Sequence, residues 1–355
     1  MDQVKLSHSS INRFLMCGES YRLHYIERLR PTTTTSALVF GTAIDNALNN
    51  LLLDQDDAEQ TFLDNMSRFD LNGTKVDTLT CDDINYFKSD YCFEILTQQD
   101  LDELNDDIKF LGLNVEIDGT LIDRLNKEVK EHSRLIRHAS FLSLKRKGIM
   151  LIDAYRKQLL PKITKVHHVQ YPFDIVNQEG DSISGIIDAI VDIEGEGTVI
   201  LDNKTSGRAY EVDSVLKSEQ LSMYKIATGI EKCGYAVVNK TVKLNKKKVC
   251  IICNEDNNVK ANTCTSTKNG VRCNGELKNS MTPTIDTQLI VDKVSEEMQT
   301  KVLNTASEVN NKIHNKVFVK NEKQCYNWFG NKCPYFDLCK NGFVSKLKHF
   351  PKEEK

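Results

Sequence analysis

Residues 183–206 read ISGIIDAIVDIEGEGTVILDNKTS, and this stretch decides the fold. Its first half carries Ile183, Ile187 and Val191 on one side and Ile186 and Ile190 on the other, the pattern of a central strand covered on both faces. The turn EGEG (194–197) then returns the chain as a second apolar strand, TVILDNK, so the two form a hairpin. Two features break the apolar pattern. Asp188 falls inside the first strand, on the face shared by Ile186 and Ile190, where an unpartnered carboxylate would be costly. Asp202 and Lys204 leave the second strand on one face while Asn203 turns the other way, because side chains alternate along a strand. Two carboxylates and a lysine brought together across adjacent strands make a hard-oxygen site for Mg²⁺ or Mn²⁺. The lysine beside it can orient or deprotonate a water.

Outward from this hairpin the chain divides into five parts. Residues 1–54 hold two helices, the first capped by Ser7 and running to about Leu29, the second over 37–53. Residues 55–145 are acidic and helical in pattern, and read as a helical insertion. The core, 146–240, begins with the helix GIMLIDAYRKQLL, which meets Pro161, then the strand VHHVQYPFDIV, the hairpin, a helix around 213–228 and a strand GYAVV. Residues 241–281 are rich in cysteine, and 282–355 hold a long helix near 290–314 and a second cysteine-rich segment.

The chain has 355 residues, 27% charged and 40% hydrophobic, as expected of a soluble globular protein. No run approaches the ~18 apolar residues of a membrane span, and the opening MDQVKLSHSS lacks a signal-peptide pattern. With a formal net charge of −3, a nucleic-acid partner must be held by local basic patches. Eleven cysteines without a secretory signal point to a reducing cytoplasm, where clustered thiols more often hold metal than pair as disulfides.

Four of these cysteines, Cys250, Cys253, Cys264 and Cys273, begin with a tight C-x2-C turn and lie in sequence too short and polar to bury a core. They read as an inserted zinc ribbon. The run NKTVKLNKKK (239–248) places five lysines beside it, either as a solvated face or for binding phosphates. The later segment CYNWFGNKCPYFDLC holds Cys325, Cys333 and Cys339, one ligand short of a tetrahedral site.

The combination GIID (185–188), thirteen residues, then DNKTS (202–206) resembles the PD-(D/E)XK nuclease superfamily, specifically its RecB-type exonuclease branch. Two further stretches carry the resemblance. SEQLSMYKIATG (218–229) is similar to the branch's Q-x-x-x-Y helix, through Gln220 and Tyr224, and LSHSSINRFLMCGESYRLHYIERL (6–29) is similar to its opening helix. VFGTAIDNAL (39–48) resembles its G-x-x-x-H motif, but Asp45 stands where the family has a histidine metal ligand. An aspartate ligates a hard cation as readily.

The resemblance implies a restriction-endonuclease-like mixed sheet flanked by helices. It implies Asp188 and Asp202, with Asp45 and the Asn203 carbonyl, as Mg²⁺ or Mn²⁺ ligands, and Lys204 as the residue that positions water. Gln220 and Tyr224 would face the site or contact the strand. It also implies a [4Fe-4S] cluster on Cys17, Cys325, Cys333 and Cys339, although the spacing is looser than the family's and leaves zinc open. The activity implied is a DNA exonuclease acting on ends or single strands, with DNA and a helicase or recombination protein as partners. A structure-specific endonuclease on the same core, and a non-catalytic DNA-binding or assembly module, are the alternatives.

Overall fold

The computed structural model describes residues 5–31, 36–55, 57–68, 129–176, 182–258, 260–268, 270–326, 332–342 and 347–349. In chain order, β1 (Lys5–Leu6), α1 (His8–Met16), α2 (Gly18–Tyr21) and β2 (Leu29–Pro31) are followed by α3 (Ser36–Leu52), α4 (Ala58–Arg68) and α5 (Val129–Gln158). Then come β3 (Ile163–Val176), β4 (Ser182–Ile193), β5 (Gly197–Ser206), α6 (Glu219–Thr228) and β6 (Lys232–Cys250). The remainder is β7 (Asp256–Asn257), β8 (Thr267–Lys268), β9 (Val271–Arg272), β10 (Leu277–Lys293), α7 (Glu296–His314), α8 (Phe336–Asn341) and β11 (Leu347–His349). Most of the expected helical insertion lies outside the described residues; α4 and α5 are its described ends.

The hairpin forms as read. β4 and β5 pair antiparallel from Ala189↔Leu201 to Ile193↔Gly197, with Gly195 and Gly197 supplying the positive φ of the turn. The mixed sheet runs β1-β4-β5-β6-β10, with β3 on the other edge of β4. Helices cover both faces. On one, α3, α4 and α5 bury Phe40, Ile44, Leu48, Phe62, Ile152 and Tyr155 against Ala189, Val191, Val199 and Leu201. On the other, Leu221 and Tyr224 of α6 pack on Ile187, Ile190, Ile200 and Val237.

Strict alternation fails along one stretch of β4. Ile187 shares a cluster with Ile190, not with Ile183 or Val191, and Ile186 is 53% exposed. The cause is a gap in the ladder. The edge of β4 that pairs β5 at 189–193 pairs β1 at Ser182 and Ile183, and among the described residues no strand pairs the intervening ones on that side. Asp188 lies beside this gap, where its carboxylate accepts from Asn203 N–H, while Ile186 is exposed.

Three element boundaries also differ from the reading. The opening helix stops at Met16 and resumes as α2 and one π-turn (Arg22–Ile26), and Arg28 takes a positive φ of 55° before β2. The helix expected from residue 213 begins at Glu219, where the Ser218 side chain accepts from Leu221 N–H. The helix expected from residue 290 begins at Glu296, because Leu289–Val291 continue a strand paired with Gly234–Ala236.

The sequence around 232–250 makes one strand, not a short GYAVV element. Its first part, Lys232–Asn239, lies between β5 and β10, while the rest pairs only β10 and β7. Residues 240–250 and 277–286 therefore form a two-stranded arm, and the cysteine-rich segment closes its end.

Residues 5–31 dock elsewhere. Leu6, Ile11, Phe14 and Tyr21 bury against Val302, Val309 and Ile313 of α7. β11 pairs antiparallel with β2.

Candidate active site

The gap between β1 and β5 is a fork in the sheet, and the expected site residues converge on it from both layers. β5 continues along β6 past the end of its pairing with β4, as far as Ser206↔Asn239. Asn203 N–H, freed from the β4 ladder, donates to the Asp188 carboxylate at 2.8 Å. Asp202 is fully buried, with Lys204 Nζ 2.5 Å from its Oδ2. Neither Asp202 oxygen receives a hydrogen bond of ordinary geometry.

Asp45 joins them from α3, whose apolar stripe packs on the sheet. Burial and then the Asp202 charge push its carboxyl up, against Lys204 and a hydrogen bond from Asn49 one turn on. The same causes act more strongly on Asp188: burial, then Asp202, then Asp45 raise it to about 8. Burial also raises Asp202, offset in part by Lys204. Lys204 itself would lose its proton more readily through burial, but Asp202 outweighs this and the ammonium is held above its ordinary value. Among the described residues, these three mutually repelling carboxylates share the Lys204 ammonium. The arrangement is short of positive charge, and a divalent ion would supply it.

Gln220 and Tyr224 face this site but do not reach out of it. Lys204 Nζ donates to Gln220 Oε1 at 3.2 Å. Gln220 Nε2 donates to the Tyr224 hydroxyl at 2.6 Å, and that hydroxyl donates to the Ile186 carbonyl at 3.2 Å. Tyr224 is only 5% exposed, and its hydroxyl is engaged within the site.

Two tyrosines were not singled out in the sequence. Tyr155 of α5, fully buried, donates to Asn203 Oδ1 at 3.2 Å from the opposite layer. Tyr235 of β6 shares a 2.6 Å hydrogen bond with Ser218, and its ring lies 6.0 Å from the Lys204 ammonium. The signal for Tyr155 was present: it continues the apolar face Leu151, Ile152, Leu159, where a hydroxyl must find a partner.

The two cysteine sets are distinct. The sulfurs of Cys250, Cys253, Cys264 and Cys273 all lie within 4.8 Å of one another, a closeness that no other ligand group reaches among the described residues. Cys17, Cys325, Cys333 and Cys339 share a neighbourhood more loosely. Burial raises the Cys333 thiol, with Cys17 and Cys325 adding to it, and Cys339 is raised by burial, Glu19, Cys333 and Cys17. Around them, Asn321 N–H donates to Cys17 Sγ at 3.4 Å and Cys333 N–H to the Cys325 carbonyl at 2.8 Å. Beside this set, Tyr335 is within 2.6 Å of His24 Nδ1 and donates to the Leu29 carbonyl at 2.9 Å.

Within the lysine run, two side chains pair with carboxylates. Lys243 pairs with Asp286, Lys247 with Asp256 at 2.7 Å, and Lys248 donates to the Ala261 carbonyl at 2.7 Å. Lys240 lies over the Phe40 ring.

The family model of the PD-(D/E)XK nuclease superfamily matches residues 5–74 and 116–340. No curated protein matches the chain. The solved structure titled "Crystal structure of SSO0001" is similar at 12% identity, over 59% of this chain and 85% of that chain, with a TM-score of 0.23.

Proposed function

The chain belongs to the PD-(D/E)XK nuclease superfamily, and from that premise we propose that it is a metal-dependent deoxyribonuclease of the RecB-type exonuclease branch. It would act on DNA ends or single strands in replication, recombination or repair. The observation that carries this reading is the buried Asp202 carboxylate in the sheet fork, without an ordinary hydrogen bond, beside Asp188, Asp45 and Lys204.

This set fits a divalent cation, because a buried carboxylate paired with Lys204 but lacking an ordinary hydrogen bond, set among further carboxylates, is what such an ion satisfies. Asp188, Asp202 and Asp45 would hold Mg²⁺ or Mn²⁺, with the Asn203 carbonyl as a further ligand. Bound there, the ion supplies a polarised scissile phosphate and a water of lowered pKa. The chain's own groups do the rest. Asp202 holds the Lys204 ammonium beside it, where Lys204 would orient or deprotonate the attacking water. Gln220 and Tyr224 fix where that ammonium points.

Cys17, Cys325, Cys333 and Cys339 would carry a [4Fe-4S] cluster. Four thiolates around a single zinc stand about 3.8 Å apart, closer than this set gathers. A cluster holds its thiolates further apart. Cytoplasmic residence and a helicase or recombination partner complete the reading.

The test is digestion of end-labelled linear DNA, single- and double-stranded, beside circular single-stranded DNA, with Mg²⁺ or Mn²⁺ and with Asp202→Asn as control. Metal-dependent loss of the linear substrates alone is expected. Cutting of the circle would make the protein an endonuclease, and no cleavage of any DNA would leave a binding module.

A further inference from the structure

The cysteine-rich tip of the β6–β10 arm plays no part in the fork. Its buried residues within 250–276 are Cys250, Asn257, Cys264 and Gly275, and Ile251, Ile252 and Val271 are 51%, 68% and 71% exposed. Among the described residues of this segment, no cluster of buried apolar side chains forms a core. Something else must hold it.

We propose that Cys250, Cys253, Cys264 and Cys273 bind one zinc ion, and that the ion is the core of the arm's tip. The sulfurs interlock across the sequence: Cys250 Sγ lies 3.6 Å from Cys273 Sγ, and Cys253 Sγ lies 3.5 Å from Cys264 Sγ. Tetrahedral zinc with bonds near 2.3 Å asks for about 3.8 Å between thiolates.

The backbone is built for thiolates. Ile252 N–H donates to Cys250 Sγ at 3.4 Å, and Asn257 Nδ2 to Cys264 Sγ at 3.5 Å. Such donors stabilise a ligand's negative charge and fix its direction. Cys253 and Cys273 are each followed by an asparagine in the left-handed region, Asn254 at φ 58° and Asn274 at φ 51°, so the two turns repeat one design. After the second turn the chain must pass Cys250 closely. A Cβ on Gly275 would meet Cys250 Sγ at 2.6 Å.

Four sulfurs from one chain close the coordination sphere and leave no position for a water. The site is therefore structural, and nothing in it requires redox chemistry. Removing the ion should unfold the tip alone, because the root of the arm is held by β5 and by Gln158 Nε2 on the Ile285 carbonyl at 3.0 Å.

Elemental analysis of protein purified without chelator tests this, comparing the natural chain with Cys264→Ser. The variant is expected to hold one zinc fewer per chain, with iron content and cleavage of a short oligonucleotide unchanged. Hydrogen exchange on the natural chain removes dependence on the variant's folding: a zinc chelator should accelerate exchange across 250–276 and spare 232–239. Equal zinc in the two proteins, iron lost with Cys264, or exchange at the tip indifferent to chelation would each overturn the proposal. So would two disulfides, Cys250–Cys273 and Cys253–Cys264, found by mass mapping of freshly lysed cells. Failure of the nuclease reading leaves the zinc content, the hydrogen exchange and the disulfide mapping intact as readouts.

Discussion

The Tyr224 hydroxyl donates to the main-chain carbonyl of Ile186 at 3.2 Å, tying α6 to the strand that carries Asp188. Through Gln220 the same hydroxyl fixes Lys204, so one tyrosine sets the spacing between the ammonium and the carboxylates.

Tyr224→Phe keeps the packing and removes that brace. We expect kcat to fall about tenfold to a hundredfold, as misplacement of a reacting group by an ångström commonly costs, with KM for DNA little changed. Gln220→Ala should behave alike. Steady-state kinetics on a short oligonucleotide decides it, and a rise in KM at constant kcat would assign these residues to substrate contact instead.

Asp202→Ala and Lys204→Ala should each reduce hydrolysis by about a hundredfold to a thousandfold or more, the scale for losing one charge-stabilising group. Far-ultraviolet circular dichroism should be unaltered. Near-natural rates in either variant would remove the fork as the catalytic site.

The carboxylates make the metal-free protein sensitive to alkali. Asp188 is raised to about 8, so between its ordinary value and 8 the folded chain binds more protons than the unfolded one. Stability from this group is present at low pH and is lost as pH rises through 8. Melting of the metal-free protein should drop by several degrees between pH 6 and pH 9, and Mg²⁺ should reverse the drop. Asp45→Asn should flatten the slope, since it removes one of the charges that raise Asp188.

Anaerobically purified protein should be brown from thiolate-ligated iron, and Cys333→Ser should lose the colour. A colourless natural protein with two zinc ions would put zinc at Cys17, Cys325, Cys333 and Cys339.

Acid should loosen the segment beside those cysteines. Burial, with Arg13 and Arg30, lowers His24 to about 3, so below its ordinary 6.5 the unfolded chain binds the extra proton. That stability is present above 6.5 and fades as pH falls towards 3. Hydrogen exchange across 332–342 should quicken at pH 5 before the sheet responds. Tyr335→Phe, which strands the Leu29 carbonyl, should cost about 1–3 kcal/mol and give the same opening at neutral pH.

The sheet hairpin was legible because Val199, Ile200 and Leu201 are apolar on both faces and EGEG leaves only a tight turn. The pairing of Asp202 with Lys204 followed from a period of two. Asp188 was found by its chemistry and misplaced by periodicity, since no local pattern announces that β5 and β1 leave β4 unpaired between them. β10 was missed for a related reason. Its polar residues are satisfied by β6 through the ladder, and only Ile285, Leu289 and Val291 keep an alternating signal. The acidic partners of Lys243 and Lys247, Asp286 and Asp256, were not legible in the lysine run because they come from other strands.

The docking of residues 5–31 has a consequence for the order of events on a ribosome. Leu6 needs Ile183, Phe14 and Tyr21 need Val302–Ile313, and Leu29 needs Tyr335 and His349. Residues 5–31 are made well before these partners and are thus among the last to find their contacts. Throughout translation Phe14 and Tyr21 stay open to whatever binds nascent apolar segments. A ribosome stalled before α7 would release a chain with its sheet hairpin complete and its opening helix unpartnered, a ready substrate for quality-control proteases.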